Sequence, residues 1–336
     1  MADPAQRTIP FPLIVGPTAG GKSALAVEIA MEVARRAESV HAQSASTEVP
    51  LPRAGEVVTA DAFQVYRHLD VCTAKPTPEE RRGVAHHLID LVEPDDPEAF
   101  TLHRWLALAE RTIADVRARR NLPIVVGGTH LYAKALLEGL FEGPGADEAL
   151  RAELRAMDAL ARRAELERVD PAAAARIHPS DERRTIRALE VFRLTGKPIS
   201  AHQSQWDREA SPRVDARLVV LQWPAEVLSR RINQRVRDMV AAGLVEESRE
   251  LWKAGRLGSQ AGQALGPKQL VPHFEGRQSL ADAIEKIKIE TRRFAKNQRT
   301  WLRRLSTTPG AIVIDATSGE PGAWSQDIVN RIFTTP

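Results

Sequence analysis

Three clusters of residues in this 336-residue chain have types and spacing suited to chemistry. The first is Gly16-Pro17-Thr18-Ala19-Gly20-Gly21-Lys22-Ser23, a full match to G-x-x-x-x-G-K-[ST] between an apolar run and an amphipathic helix pattern. Its glycines let backbone N–H groups turn toward phosphate oxygens, and a helix N-terminus adds partial positive charge. Lys22 supplies a mobile cation and Ser23 a hydroxyl for Mg²⁺. Phosphate or pyrophosphate binding follows, but not the reaction. The second is Asp61, closing "EVVTAD". A carboxylate there can act as a general base, cap a turn, or partner Mg²⁺. The third is Gly127-Gly128-Thr129, closing "LPIVVGGT"; on its residues alone Thr129 is a helix N-cap for "HLYAKALLEG".

The elements that must position these residues alternate. A strand near 10–15 precedes the glycine loop, and a helix runs from about 21 to 36. Residues 37–55, rich in Ser, Ala and Pro, read as an exposed loop. Strands are expected at 56–61, 86–92 and 122–129, with a helix over 101–120 capped by Thr101. Such alternation implies a parallel sheet covered on both faces, a P-loop NTPase-like α/β fold. Ligands gather at the carboxyl ends of its strands, where all three clusters lie. From 141 to about 206 the pattern is helical and rich in Ala, Arg and Glu, as for an inserted all-helical subdomain. Strands return at 217–223 and 311–316 around further helices, giving a core domain of 10–140 and 207–318.

Composition sets the outer bounds. The chain is 43% apolar and 27% charged, as soluble globular proteins are. It has no apolar run near the roughly 20 residues a membrane span needs. "MADPAQRTIP" lacks the layout of a secretory signal, so a cytoplasmic enzyme is expected. One cysteine, Cys72, excludes an internal disulfide framework. Net charge is +3 and the pI about 9.2. The arginines cluster in "DERRTIRALEVFR" and "TRRFAKNQRTWLRR", which read either as solvated helix faces or as surfaces that neutralise nucleic-acid phosphates.

Seven separated motifs together resemble the tRNA dimethylallyltransferases, also called tRNA isopentenyltransferases. They are "GPTAGGKS", "ADAFQVYRHLDVCTAKP", "HHLIDL", "PIVVGGTHLYAKALLEGL", "DPAAAARIHPSDERRTIRALEV", "TGKPIS" and "TRRFAKNQRTWLRR". That family moves a five-carbon prenyl group from dimethylallyl diphosphate to the exocyclic amine of an adenine beside the anticodon, and diphosphate leaves. The resemblance implies that Gly16–Ser23 cradle the diphosphate with Mg²⁺ on Ser23, that Asp61 is the base, and that Thr129 and Arg292 belong to the reaction centre. It implies that Asp61, Ala62, Phe63, Gln64 and Thr129 meet the extruded base. It also implies anticodon stem-loop contacts by Arg151, Arg183, Arg184, Arg187, Lys268, Lys296, Gln298, Arg299 and Arg303. The chain departs from the family pattern at Ala62, where serine is usual, at Pro267, where tyrosine is common, and in the longer 37–55 segment. A monomer without membrane contact is expected. The competing reading is a P-loop kinase of a nucleotide or small metabolite, which has no need of the basic helices.

Overall fold

A computed structural model of the chain describes residues 9–42, 51–140, 143–203 and 213–334. It divides into two compact units, Leu137–Arg213 and the flanking remainder, Met1–Leu136 with Val214–Pro336.

The larger unit is built on six parallel strands: β1 Phe11–Val15, β2 Gly55–Thr59, β3 His86–His87, β4 Leu122–Gly127, β5 Ala216–Gln222 and β6 Ile312–Asp315. Their order is β3-β2-β4-β1-β5-β6. The strands at the centre of this order, β1, β2 and β4, are buried along their whole length, which is why their sequences are continuously apolar rather than alternating. The helices before the inserted unit are α1 Lys22–Ala42, α2 Pro78–Arg81, α3 Leu102–Ala118 and α4 His130–Glu138. α1 packs on one sheet face through Leu25, Ala26, Ile29 and Val33. α3 inserts the fully buried Trp105, whose Nε1–H donates to Thr59 O at 3.1 Å and whose ring stacks on Tyr132. Thr101 caps α3, its hydroxyl accepting from Arg104 N–H at 3.1 Å.

The other unit holds α5 Glu148–Ala156, α6 Ala159–Val169, α7 Pro171–Arg176, α8 Glu182–Thr195 and α9 Ile199–Gln203, with its own core around Leu154, Leu166 and Leu189. The chain then adds α10 Ala225–Ala241, α11 Leu244–Lys253, α12 Pro267–Phe274, α13 Leu280–Leu305 and α14 Pro321–Thr334 to the sheet unit.

Two expectations are corrected. Residues 37–42 continue α1 instead of opening a loop, and Gly55 already belongs to β2. The apolar rhythm of α1 fades after Val33, but no Gly or Pro stops the helix there, and Glu32 ties Arg35 and Arg36 along its face. The central part of that expected loop, 43–50, lies outside the described residues. The strand expected over 86–92 ends at His87, because Leu88 and Asp90 take left-handed backbone angles (φ +60° and +57°) that break the pleat.

Candidate active site

The glycine loop occupies the turn between β1 and α1. Gly21 sits at φ +83°, open to glycine and costly for other residues, and Ala19 joins it in the left-handed region at +58°. Within the loop, Gly20 N–H donates to Pro17 O at 3.1 Å. Ala19 turns inward onto Leu228, Ile232 and Ala295. Three distant side chains brace the loop. Trp223 Nε1–H donates to Gly20 O at 3.1 Å. Arg231 Nε–H donates to Ala19 O at 2.9 Å, with its guanidinium 4.4 Å over the Trp223 ring. Gln298 Oε1 accepts from Thr18 N–H at 2.8 Å while its Nε2 donates to Gly128 O at 2.9 Å. Gln298, expected as a tRNA contact, is 3% exposed, and both ends of its amide hold protein loops.

A cavity of about 750 Å³ opens beside this loop, lined among others by Lys22, Ser23, Asp61, Gln64, Arg235 and Gln298. Lys22 Nζ donates to Pro17 O at 2.8 Å. Burial, and then the nearby Arg235 charge, pull its pKa down to about 7, against the opposing pull of Asp61. Burial likewise lowers Arg235, with Asp61 and Glu80 working the other way. Two crowded, desolvated cations facing one cavity are suited to a polyanion, which would relieve their repulsion. Arg235, on α10, was not singled out by the sequence; only its position four residues after Arg231, one turn along the helix, was available as a signal.

Asp61 lies two residues beyond β2 and lines the same cavity as Lys22. Its Oδ1 accepts from Phe63 N–H at 2.8 Å and from Gln64 N–H at 3.3 Å. The turn-capping role thus uses one oxygen and leaves Oδ2 for another task. Thr129 follows β4, and its hydroxyl accepts from Ala62 N–H at 3.3 Å. Its carbonyl opens α4 by accepting from Tyr132 and Ala133, so the side chain ties the β4 end to the β2 end. Gly127 permits this approach, since a Cβ there would lie 2.0 Å from Ala60 O.

Other candidate residues are distributed as follows. Ala62, Phe63 and Thr129 adjoin Asp61 without lining the cavity. Arg292, also outside the lining, donates to Asn233 Oδ1 at 2.5 Å and pairs with Glu285 at 3.4 Å. Lys296 and Arg303 are exposed and Arg299 half-buried on α13; Lys268 is exposed on α12. In the helical unit Arg183 and Arg184 are exposed on α8, Arg184 pairing with Asp181. Arg151 and Arg187 are instead committed to the fully buried Glu190, at 2.8 and 2.6 Å. Burial alone would raise the Glu190 carboxyl, but the Asp147 amide and both guanidiniums outweigh it and hold it below its usual range. These two arginines, expected as tRNA contacts, are thus engaged in an ion cluster while their side chains stay 26% and 31% exposed.

Residues 64–305 match the family described as IPP transferase. This chain belongs to the IPP transferase family. An IPP transferase relative in Geobacillus kaustophilus, a tRNA dimethylallyltransferase, is 43% identical, with 87% of this chain and 86% of that protein covered. A second, from Anaeromyxobacter dehalogenans, bears the same name and is 44% identical over 87% and 91%. The full-length tRNA isopentenylpyrophosphate transferase of Bacillus halodurans superposes with a TM-score of 0.65 and 34% identity over 97% of both chains. A eukaryotic dimethylallyltransferase acting on tRNA gives 0.77 and 26%, covering 97% of this chain and 80% of that one. The P-loop-like parallel sheet of this IPP transferase agrees with the fold class its sequence implied.

Proposed function

We propose that this enzyme transfers a dimethylallyl group from dimethylallyl diphosphate to the exocyclic amine of the adenine 3′ to the anticodon in tRNA, releasing diphosphate. It is proposed to act as a cytoplasmic monomer. Among the described residues, no helix is long and apolar enough to cross a membrane. The observation that carries the reading is that Lys22 and Asp61 line one cavity. The leaving group and the incoming nucleophile therefore have partners around a shared space.

Displacement at an allylic carbon places growing negative charge on the diphosphate. The N–H groups opening α1, which lack intrahelical acceptors, together with Lys22 and Arg235, receive that charge. The adenine amine must lose a proton as its nitrogen bonds to carbon, and Asp61 Oδ2 accepts it. Gln64 lines the same space, and its Oε1 accepts a hydrogen bond from the second amine N–H, which stays on the nitrogen. Thr129 holds the Asp61 turn through Ala62 N–H. The proposed part of Arg292 is to steady α10 through Asn233 while adding positive charge near the donor.

Among the described residues no group of three or more His, Cys, Asp or Glu could hold a metal. Mg²⁺ takes one or two protein oxygens and completes its shell with phosphates and water. The Ser23 hydroxyl would hold it beside the diphosphate, where the ion supplies charge neutralisation. Exposed Arg183, Arg184, Lys268, Lys296 and Arg303, with Arg299, are proposed to meet the phosphates of the anticodon stem-loop.

The test is to incubate the enzyme with unmodified tRNA, labelled dimethylallyl diphosphate and Mg²⁺. Label is expected in the tRNA with no ATP required. ATP consumption with unlabelled tRNA would favour the kinase reading instead.

A further inference from the structure

We propose that Glu247, on α11, is a positioning residue for the acceptor base, acting through the strap of residues 69–76 and Gln64. The proposal rests on the transfer reaction above and adds a residue to its selectivity. Glu247 comes from far along the chain, yet its carboxylate accepts three consecutive strap amides. Oε2 takes the N–H of Asp70 at 2.9 Å and of Val71 at 2.7 Å, and Oε1 takes Cys72 N–H at 3.0 Å. Consecutive amides turned to one side form an anion-binding nest, and here a charged side chain of the protein fills it with charge-assisted bonds.

The other side of the strap meets Gln64. Its Nε2 donates to Thr73 O at 3.1 Å and to Ala74 O at 3.3 Å, and Ala74 holds a left-handed φ of +46°. The buried Lys75 closes the strap by donating to Tyr66 O, Asp70 and Asp90 at 2.5–2.6 Å. Both Gln64 amide hydrogens therefore have partners, and the amide offers the cavity only an acceptor. An acceptor suits the N–H of an amine-bearing base and opposes the O6 of guanine, which is itself an acceptor. Glu247 thus fixes where the Thr73 and Ala74 carbonyls stand, and they fix which end of Gln64 faces the base.

The test uses the whole enzyme with Glu247→Gln, Gln64→Ala and the double variant. Substrates are an anticodon stem-loop RNA with adenine at the acceptor position and the same RNA with guanine as a competitive inhibitor. In Glu247→Gln, kcat is expected to fall about tenfold through misplacement of the base. KM for dimethylallyl diphosphate is expected to stay within about twofold, since the Lys22 loop is untouched. Inhibition by the guanine RNA, relative to binding of the adenine RNA, is expected to tighten about fivefold as the Gln64 amide is freed to turn. In the Gln64→Ala background the Glu247 substitution is expected to change neither quantity. A full loss of kcat in that background, or an unchanged guanine-to-adenine ratio, overturns the proposal. Hydrogen exchange reads the strap independently of catalysis: the Asp70, Val71 and Cys72 amides are expected to be protected in the wild type and to exchange faster in Glu247→Gln. Equal exchange overturns the proposal as well. A wild type that exchanges slowly but labels no RNA refutes the reaction assigned above, not the strap.

Discussion

Cations are handled in opposite ways around Glu190 in the helical unit and around the glycine loop in the sheet unit. In the helical unit, Arg151 and Arg187 converge on the buried Glu190, and Arg162, also buried, pairs with Glu182 and donates to Leu154 O. Those charges are neutralised by carboxylates of the same unit. At the end of the parallel sheet, among the described residues, Lys22 bonds only a carbonyl, Pro17 O, and Arg235 feels Asp61 and Glu80 without an ion pair to either. Burial without neutralisation raises the free energy of the empty site, and a bound anion lowers it again. The difference teaches that counting arginines does not locate a ligand surface. The informative cations are those the protein buries without pairing.

The sharpest way to break the comparison is at Asp61, the carboxylate that faces the unpaired cations across the cavity. Asp61→Ala is expected to lower single-turnover transfer by about a thousandfold, within the range of a lost general base, while tRNA affinity stays within about threefold. A near-normal rate would remove Asp61 from the proton path. Lys22→Ala should follow at about a hundredfold, the size expected when one charge-stabilising donor is lost. Steady-state kinetics should show it as a raised KM for dimethylallyl diphosphate together with a lowered kcat. An unchanged donor KM would detach Lys22 from the diphosphate.

These two residues were legible because their signals are local. The glycine loop spans eight residues, and its neighbouring strand and helix follow from apolar runs and spacing. Thr101 declared its helix in the same way. What the sequence hid lies in contacts made across the chain. Trp223 reaches Gly20 from 203 residues away and Arg231 reaches Ala19 from 212, so no window of sequence contains the pair. The bracing role of Gln298 was hidden for a related reason: it sits among basic residues on α13, and its sequence neighbours do not reveal which face of a 26-residue helix is buried. The 86–92 segment misled because Leu88, Ile89, Leu91 and Val92 make it as apolar as a short strand, whereas the left-handed turns at Leu88 and Asp90 occur at residues that do not announce them.

The helical unit supplies the next contrast. Arg183→Ala with Arg184→Ala removes exposed charges, so tRNA affinity should fall about tenfold and the salt slope of binding by about two, with melting unchanged. Arg151→Ala should do the reverse. Removing one partner of the buried Glu190 is expected to cost about 2 kcal/mol of stability, read by denaturant unfolding, and to alter the salt slope little. Were Arg151→Ala to change tRNA affinity and not stability, the internal cluster would not be its main role.

The smallest expected effect concerns pH. With its pKa lowered to about 7, Lys22 is cationic below that value and loses its proton above it in the empty site. A diphosphate favours the cationic form, so kcat/KM for the donor should decline as pH rises past 7, while kcat, measured on the loaded site, should hold to higher pH. Arg235 keeps its charge throughout, so the decline should be modest, roughly fivefold by pH 8.5. The donor's own ionisation also changes with pH, and Lys22→Arg separates the two effects. Arginine stays charged across the range, so the bend near 7 should vanish in that variant while any contribution from the donor remains. A bend that persists in Lys22→Arg would mean that another group governs donor capture.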